Sequence, residues 1–200
     1  MLVALGLGNP EDQYEGTRHN VGKEILGALA RKLCLRVSSG RGDYCFAEDA
    51  SDHLVLVVPT TYVNSSGRAA TQALAAFGAD IEDLLVVCDD FSLPIGSLRL
   101  RPRGSDGGHN GLASIIYELG SDAFARMRIG IGPLPEGCVS RDFVLGRFSS
   151  EEQAVMETVR PTACEAVLAV ARDGLERAMN LYNKRADEAG GPVQSSPGEP

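Results

Sequence analysis

The apolar residues of this chain change their spacing repeatedly, and that alternation limits the fold more than any other feature. Residues 2–8, LVALGLG, form a continuous apolar run, whereas Val21, Ile25, Leu29 and Leu33 recur every four residues. A continuous run suits a strand covered on both faces, and a four-residue recurrence marks one face of a helix. The contrast returns along the chain: strands are expected at 44–48, 54–58, 84–88, 97–101 and 127–132. Helices are expected from about residue 20, at 65–77, just beyond 110, at 151–171 and at 175–187. The pattern predicts an α/β fold, a single domain with a twisted mixed β-sheet flanked by α-helices. The domain is placed at residues 1–188. Residues 189–200, dominated by Gly, Pro and Ser, read as a disordered C-terminal tail.

Two hundred residues with 44% apolar and 23% charged side chains suit one globular core. No run is long enough to cross a membrane, and the start, MLVALGLG, lacks the basic residues and cleavage site of a signal peptide, so a cytoplasmic protein is expected. The five cysteines show no CxxC spacing and are read as reduced and mostly buried. A net charge of −8 argues against indiscriminate binding to nucleic acid, yet the charge is uneven. Residues 97–147 hold seven arginines against five carboxylates, leaving 12 basic against 22 acidic residues elsewhere. The basic character is local.

Polar residues gather at the ends of the expected strands. Asn9 follows the first, Asp89 follows LLVVC, and His109-Asn110 lie beyond the alternating LRLR strand. Ligands of open α/β sheets bind beyond the carboxyl ends of the strands, and His19 and Asn64 stand in loops that reach the same crevice. Each residue alone has a plainer use: Asn20 is a plausible N-cap for the first helix, and Asp89, Asn9 and Asn64 suit turns. Familiar site types are missing. GLGNPE lacks the third glycine of a dinucleotide loop, and there is no GxxxxGK[ST] loop and no GxSxG nucleophile elbow. A metal held by His19, His109 and Asp89 is chemically reasonable, but no paired short-spaced ligands accompany them, so no metal or cofactor is expected.

Taken in order, GLGNP, TRHNVG, PTTYVNSSG, DD with LP, GGHNG, and RIGIG followed by FVLG resemble bacterial-type peptidyl-tRNA hydrolase over residues 2–185. That family is a metal-independent, usually monomeric α/β esterase. It cleaves the ester between a peptide and the 3′ ribose of tRNA, recycling tRNA from prematurely released peptidyl-tRNA. The resemblance implies that His19 is the catalytic base and Asp89 its orienting carboxylate. It further implies that Asn9, Asn64 and Asn110, with Tyr14 and Tyr62, bind substrate, and that Arg101 and Arg128 hold the tRNA 5′ phosphate. The implied partner is the acceptor stem of peptidyl-tRNA, with no DNA and no membrane.

The chemistry suits those roles. Ester hydrolysis needs water deprotonated near neutral pH, and imidazole is the side chain that titrates there. A carboxylate on the other ring nitrogen fixes the useful tautomer. Neutral amides hold a peptide backbone without selecting side chains, and Asn9 or Asn110 can donate to the developing oxyanion. Four positions depart from the family's usual pattern: Val63 stands for methionine, Cys88 for histidine, Ser92 for a carboxylate, and Asp106 enters the glycine loop. The competing classes are an RNA-binding relative without catalysis, a nucleotide-dependent enzyme and a metal-dependent hydrolase.

Overall fold

Three apolar runs, β1 (Leu2–Gly6), β4 (Leu54–Pro59) and β5 (Leu84–Pro94), form the centre of the sheet in a computed structural model that describes residues 1–183. The expected tail and residues 184–187 of the expected last helix lie outside the described residues. β1 pairs in parallel with β4 on one side and β5 on the other. β7 (Ala125–Gly132) adds a fourth parallel strand beside β5. β2 (Ser38–Ser39), β3 (Tyr44–Asp49) and β6 (Leu98–Arg101) join antiparallel at the edges, giving the order β2-β3-β4-β1-β5-β7-β6. The result is the expected single α/β domain with a mixed sheet.

The pleat sends alternate residues of each central strand into two cores. Ala4, Leu85 and Val87 meet α1 (Val21–Lys32), α5 (Ser150–Asp173) and α6 (Leu175–Tyr182). Val3, Leu5, Val86 and Cys88 meet α2 (Ser66–Phe77) and α3 (Asn110–Leu119). Both faces are covered, which is why these strands are uniformly apolar. Edge strand β6 buries only Leu98 and Leu100, so its arginines lie on the opposite face. The start of α1 presses directly on the sheet, where a Cβ on Gly22 would lie 2.2 Å from the carbonyl oxygen of Val87.

Four features differ from the sequence reading, the first being that only Cys88 and Cys164 of the five cysteines are buried, while Cys34 and Cys138 are exposed and Cys45 is half-buried. β5 continues to Pro94 because its backbone keeps pairing with β7 after the apolar pattern ends, with Asp89 opposite Ile129 and Asp90 opposite Gly130. The six-residue α4 (Ser140–Leu145) is too short for its apolar spacing to be read as a helix. Asn20 makes no side-chain bond to the first turn of α1. No helix among the described residues is long and apolar enough to cross a membrane.

Candidate active site

The loops that follow β1 and β4, the outer part of β5 and the start of α3 converge at the carboxyl end of the parallel strands. They enclose a cavity of about 830 Å³. Asn9, Tyr14, His19, Tyr62, Asn64, Asp89, Arg101, Asn110 and Arg128, every residue singled out from the sequence, line it. His19 sits in a 3-10 turn, Arg18–Asn20, immediately before α1. The contact of Gly22 with β5 brings that turn beside Asp89.

His19 and Asp89 are both buried, and His19 Nδ1 lies 2.8 Å from Asp89 Oδ1. A second imidazole reaches the same oxygen: His109 Nε2 lies 3.0 Å away. His109 is the N-cap of α3, and its Nδ1 accepts the backbone N–H groups of Gly111 and Leu112 at 3.1 and 3.3 Å. A nitrogen that accepts two N–H bonds carries no proton, so His109 holds its proton on Nε2 and donates it to Asp89. Asp89, a carboxylate, can only accept, so the proton between it and His19 belongs to His19 Nδ1. Among the described residues His19 Nε2 has no partner, and it is the ring atom left for the cavity. Burial opposes ionisation of the Asp89 carboxyl, but the two imidazoles that donate to it, His109 and His19, prevail and hold it well below the usual carboxylate range. Burial likewise disfavours the His19 imidazolium, and the charge and hydrogen bond of Asp89 outweigh it, raising His19 above its ordinary value of 6.5.

The amides differ in how they are held. Asn9 is 5% exposed, and its Oδ1 accepts the Val63 backbone N–H at 3.0 Å, which leaves its NH₂ to donate into the cavity. Asn64 and Asn110 are exposed, and their side chains are bound to no described residue. Tyr14 and Tyr62 stand at the rim with ring centroids 6.3 Å apart and planes at 90°, and the Tyr62 hydroxyl donates to Glu11.

The arginines divide by partner. In the β6–β7 register Arg99 faces Arg128 and Arg101 faces Arg126. Arg126 is buried and donates to the carbonyls of Ser105 and Asp122, fixing both ends of the α3 region. Arg128 pairs with Asp90 and donates to Ser92 Oγ at 3.2 Å. Arg101 is exposed and pairs with no described residue. Across the cavity, α4 contributes Ser140, Arg141, Val144 and Leu145. Arg18 ties that segment to the His19 turn, stacking 4.4 Å over the Phe143 ring and reaching Glu152 Oε2 at 2.6 Å.

Two elements were not foreseen. The sequence places His109 in the polar cluster beyond the LRLR strand and among possible metal ligands, not as the N-cap of the helix that Asn110 opens. The α4 wall gave no usable periodic signal. His19, Asp89 and His109 are the one group among the described residues with donor atoms close enough to share an ion, all within 4.8 Å. Those atoms already satisfy one another, because Asp89 Oδ1 accepts both rings and His109 Nδ1 closes the α3 cap.

A buried imidazole–carboxylate pair opens on an amide-lined cavity at the carboxyl end of a largely parallel sheet, where α/β enzymes place their ligand sites. The peptidyl-tRNA hydrolase family model matches residues 3–189. A Chlorobium luteolum peptidyl-tRNA hydrolase is 49% identical over 191 residues, covering 94% of this chain and all of the relative. The Lachnospira eligens enzyme of the same name is 43% identical over 92% of this chain and all of its own length. The crystal structure of Acinetobacter baumannii peptidyl-tRNA hydrolase superposes with a TM-score of 0.85 at 30% identity, over 92% of this chain and 94% of that one. The chain belongs to the peptidyl-tRNA hydrolase family.

Proposed function

We propose that this enzyme hydrolyses the ester between a peptide, or an N-blocked aminoacyl group, and the 3′ ribose of tRNA, and so recycles tRNA from prematurely released peptidyl-tRNA. The observation that carries the mechanism is the 2.8 Å contact of His19 Nδ1 with Asp89, which leaves Nε2 at the cavity with no partner among the described residues. Nε2 takes a proton from water as its oxygen attacks the ester carbonyl, and Asp89 stabilises the imidazolium that forms. When the tetrahedral intermediate collapses, the imidazolium returns the proton to the departing ribose 3′ oxygen. Free acid and tRNA leave, and His19 is neutral again. No serine or cysteine nucleophile is required.

Of the three amides, Asn9 suits the oxyanion best. Oxyanion stabilisation depends on donors fixed before the reaction, and Asn9 is buried and tethered whereas Asn64 and Asn110 are exposed. The exposed pair, with Tyr14 and Tyr62, suits the peptide backbone and the terminal nucleotides. Arg101 and Arg128 suit the 5′ phosphate, Arg101 as an exposed charge with no partner among the described residues and Arg128 as one already oriented by Asp90.

Release of tRNA from N-acetyl-aminoacyl-tRNA by wild type and His19→Ala, both in EDTA, tests the reading. Hydrolysis by wild type alone is expected, with the variant down by about 10²–10⁴. Wild-type binding without hydrolysis would favour a non-catalytic RNA-binding role, and loss in EDTA a metal-dependent one.

A further inference from the structure

Asn20, the residue after His19, is 2% exposed, yet its carboxamide leaves the helix it precedes uncapped. Its Oδ1 accepts the Asn9 backbone N–H at 2.8 Å, and its Nδ2 donates to the Asn9 carbonyl at 3.2 Å. One side chain thus satisfies both main-chain groups of Asn9, as a neighbouring strand would. Lys23 Nζ donates to the same carbonyl at 3.0 Å. The fit is close: a Cβ on Gly8 would lie 3.0 Å from Asn20 Oδ1 and 2.9 Å from Lys23 Cβ. On its far side, Asn9 Oδ1 holds the N–H of Val63, the residue before Asn64. A buried chain of hydrogen bonds therefore runs from the residue after the base, through the backbone and side chain of Asn9, to the residue before another cavity amide.

We infer that Asn20 is a positioning residue, one that sets where the Asn9 NH₂ stands relative to the His19 imidazole. The two groups stand at opposite ends of the long connection between β1 and α1, and among the described residues the Asn20 side chain bonds those two ends directly, with Lys23 one helical turn further on. Neither hydrogen bond of Asn20 touches substrate or Asp89, so its effect on the reaction is transmitted through Asn9. This rests on the hydrolase reading given above.

A double-variant cycle tests it, with steady-state hydrolysis of N-acetyl-aminoacyl-tRNA measured for wild type, Asn20→Ala, Asn9→Ala and the pair together. Asn20→Ala is expected to lower kcat by about tenfold with KM within about twofold, because small misplacements of a catalytic group are felt mainly in the transition state. The acid limb of its pH profile should not move, since the His19–Asp89 contact is untouched. In the Asn9→Ala background the same substitution should add nothing, and Asn20→Asp, which keeps the acceptor for the Asn9 N–H, should recover part of the rate. Losses that multiply in the double variant, or normal kcat in a folded Asn20→Ala, overturn the inference. Should Asn20→Ala fail to fold, Lys23→Met serves instead. It removes the outer bond to the Asn9 carbonyl, with a longer one to the carbonyl of Pro10 at 3.4 Å, and leaves both Asn20 bonds in place, so a loss of about twofold that vanishes without the Asn9 amide is expected, and a multiplying loss or none refutes it. An inactive wild type would count against the hydrolase reading, before any variant is compared.

Discussion

At the scale of single residues, the site depends on one oxygen. Asp89 Oδ1 accepts from both imidazoles, and the cap that His109 Nδ1 makes on α3 determines which tautomer faces Asp89. His109→Ala is therefore expected to cost about 1 kcal/mol in urea unfolding, as loss of an N-cap does, and to lower kcat by less than His19→Ala. In the proposed mechanism His19 must be neutral to act as a base. Its raised pKa means that activity is low in acid and climbs as pH passes through a value above 6.5. The sequence disclosed His19, Asp89 and the three asparagines because their types and order carry chemistry. It did not disclose what each amide is bound to: Asn20 looked like a cap, but the main chain of Asn9 lies within its reach and takes both of its hydrogen bonds.

At the scale of elements, the placing of His19 follows from how closely α1 approaches β5. Gly22→Ala would put a methyl group 2.2 Å from the Val87 carbonyl oxygen, on a rigid strand that cannot yield. Thermal unfolding should show a loss of about 1–3 kcal/mol, and activity should fall further than the folded fraction because the His19 turn moves with the helix. Elements buried on both sides were the most legible, since β1, β4 and residues 84–88 of β5 are apolar and the one-sided β6 alternates. The outer part of β5 was not, because backbone pairing with β7 holds Asp89 and Asp90 in a strand whatever their side chains. The position of α4 depends on Arg18, which stacks on Phe143 across 125 residues of sequence, a contact no local pattern encodes.

At the scale of the whole molecule, an acidic chain gathers four arginines at its β6–β7 edge, of which Arg126 is buried and Arg101, Arg126 and Arg128 line the cavity. The clustering was visible in the sequence, but the division of labour was not, because it depends on Asp90, Ser92 and the carbonyls of Ser105 and Asp122. Arg101→Ala should raise KM for a tRNA substrate while leaving hydrolysis of a short N-blocked aminoacyl ester unchanged. It should also reduce the slope of log KM against log salt by about 0.7–0.9, the loss of one phosphate contact. An equal effect on both substrates would exclude a phosphate role for this residue.

The pH dependence of kcat/KM for N-acetyl-aminoacyl-tRNA, compared between wild type and Asp89→Asn, tests the His19–Asp89 pair most directly. In wild type the acid limb should lie above pH 6.5. Without the Asp89 charge, burial alone acts on His19, so the limb should move to lower pH while the plateau falls by about 10²–10⁴. A limb that keeps its position and height in Asp89→Asn would show that Asp89 neither charges nor orients the base, and would contradict the mechanism.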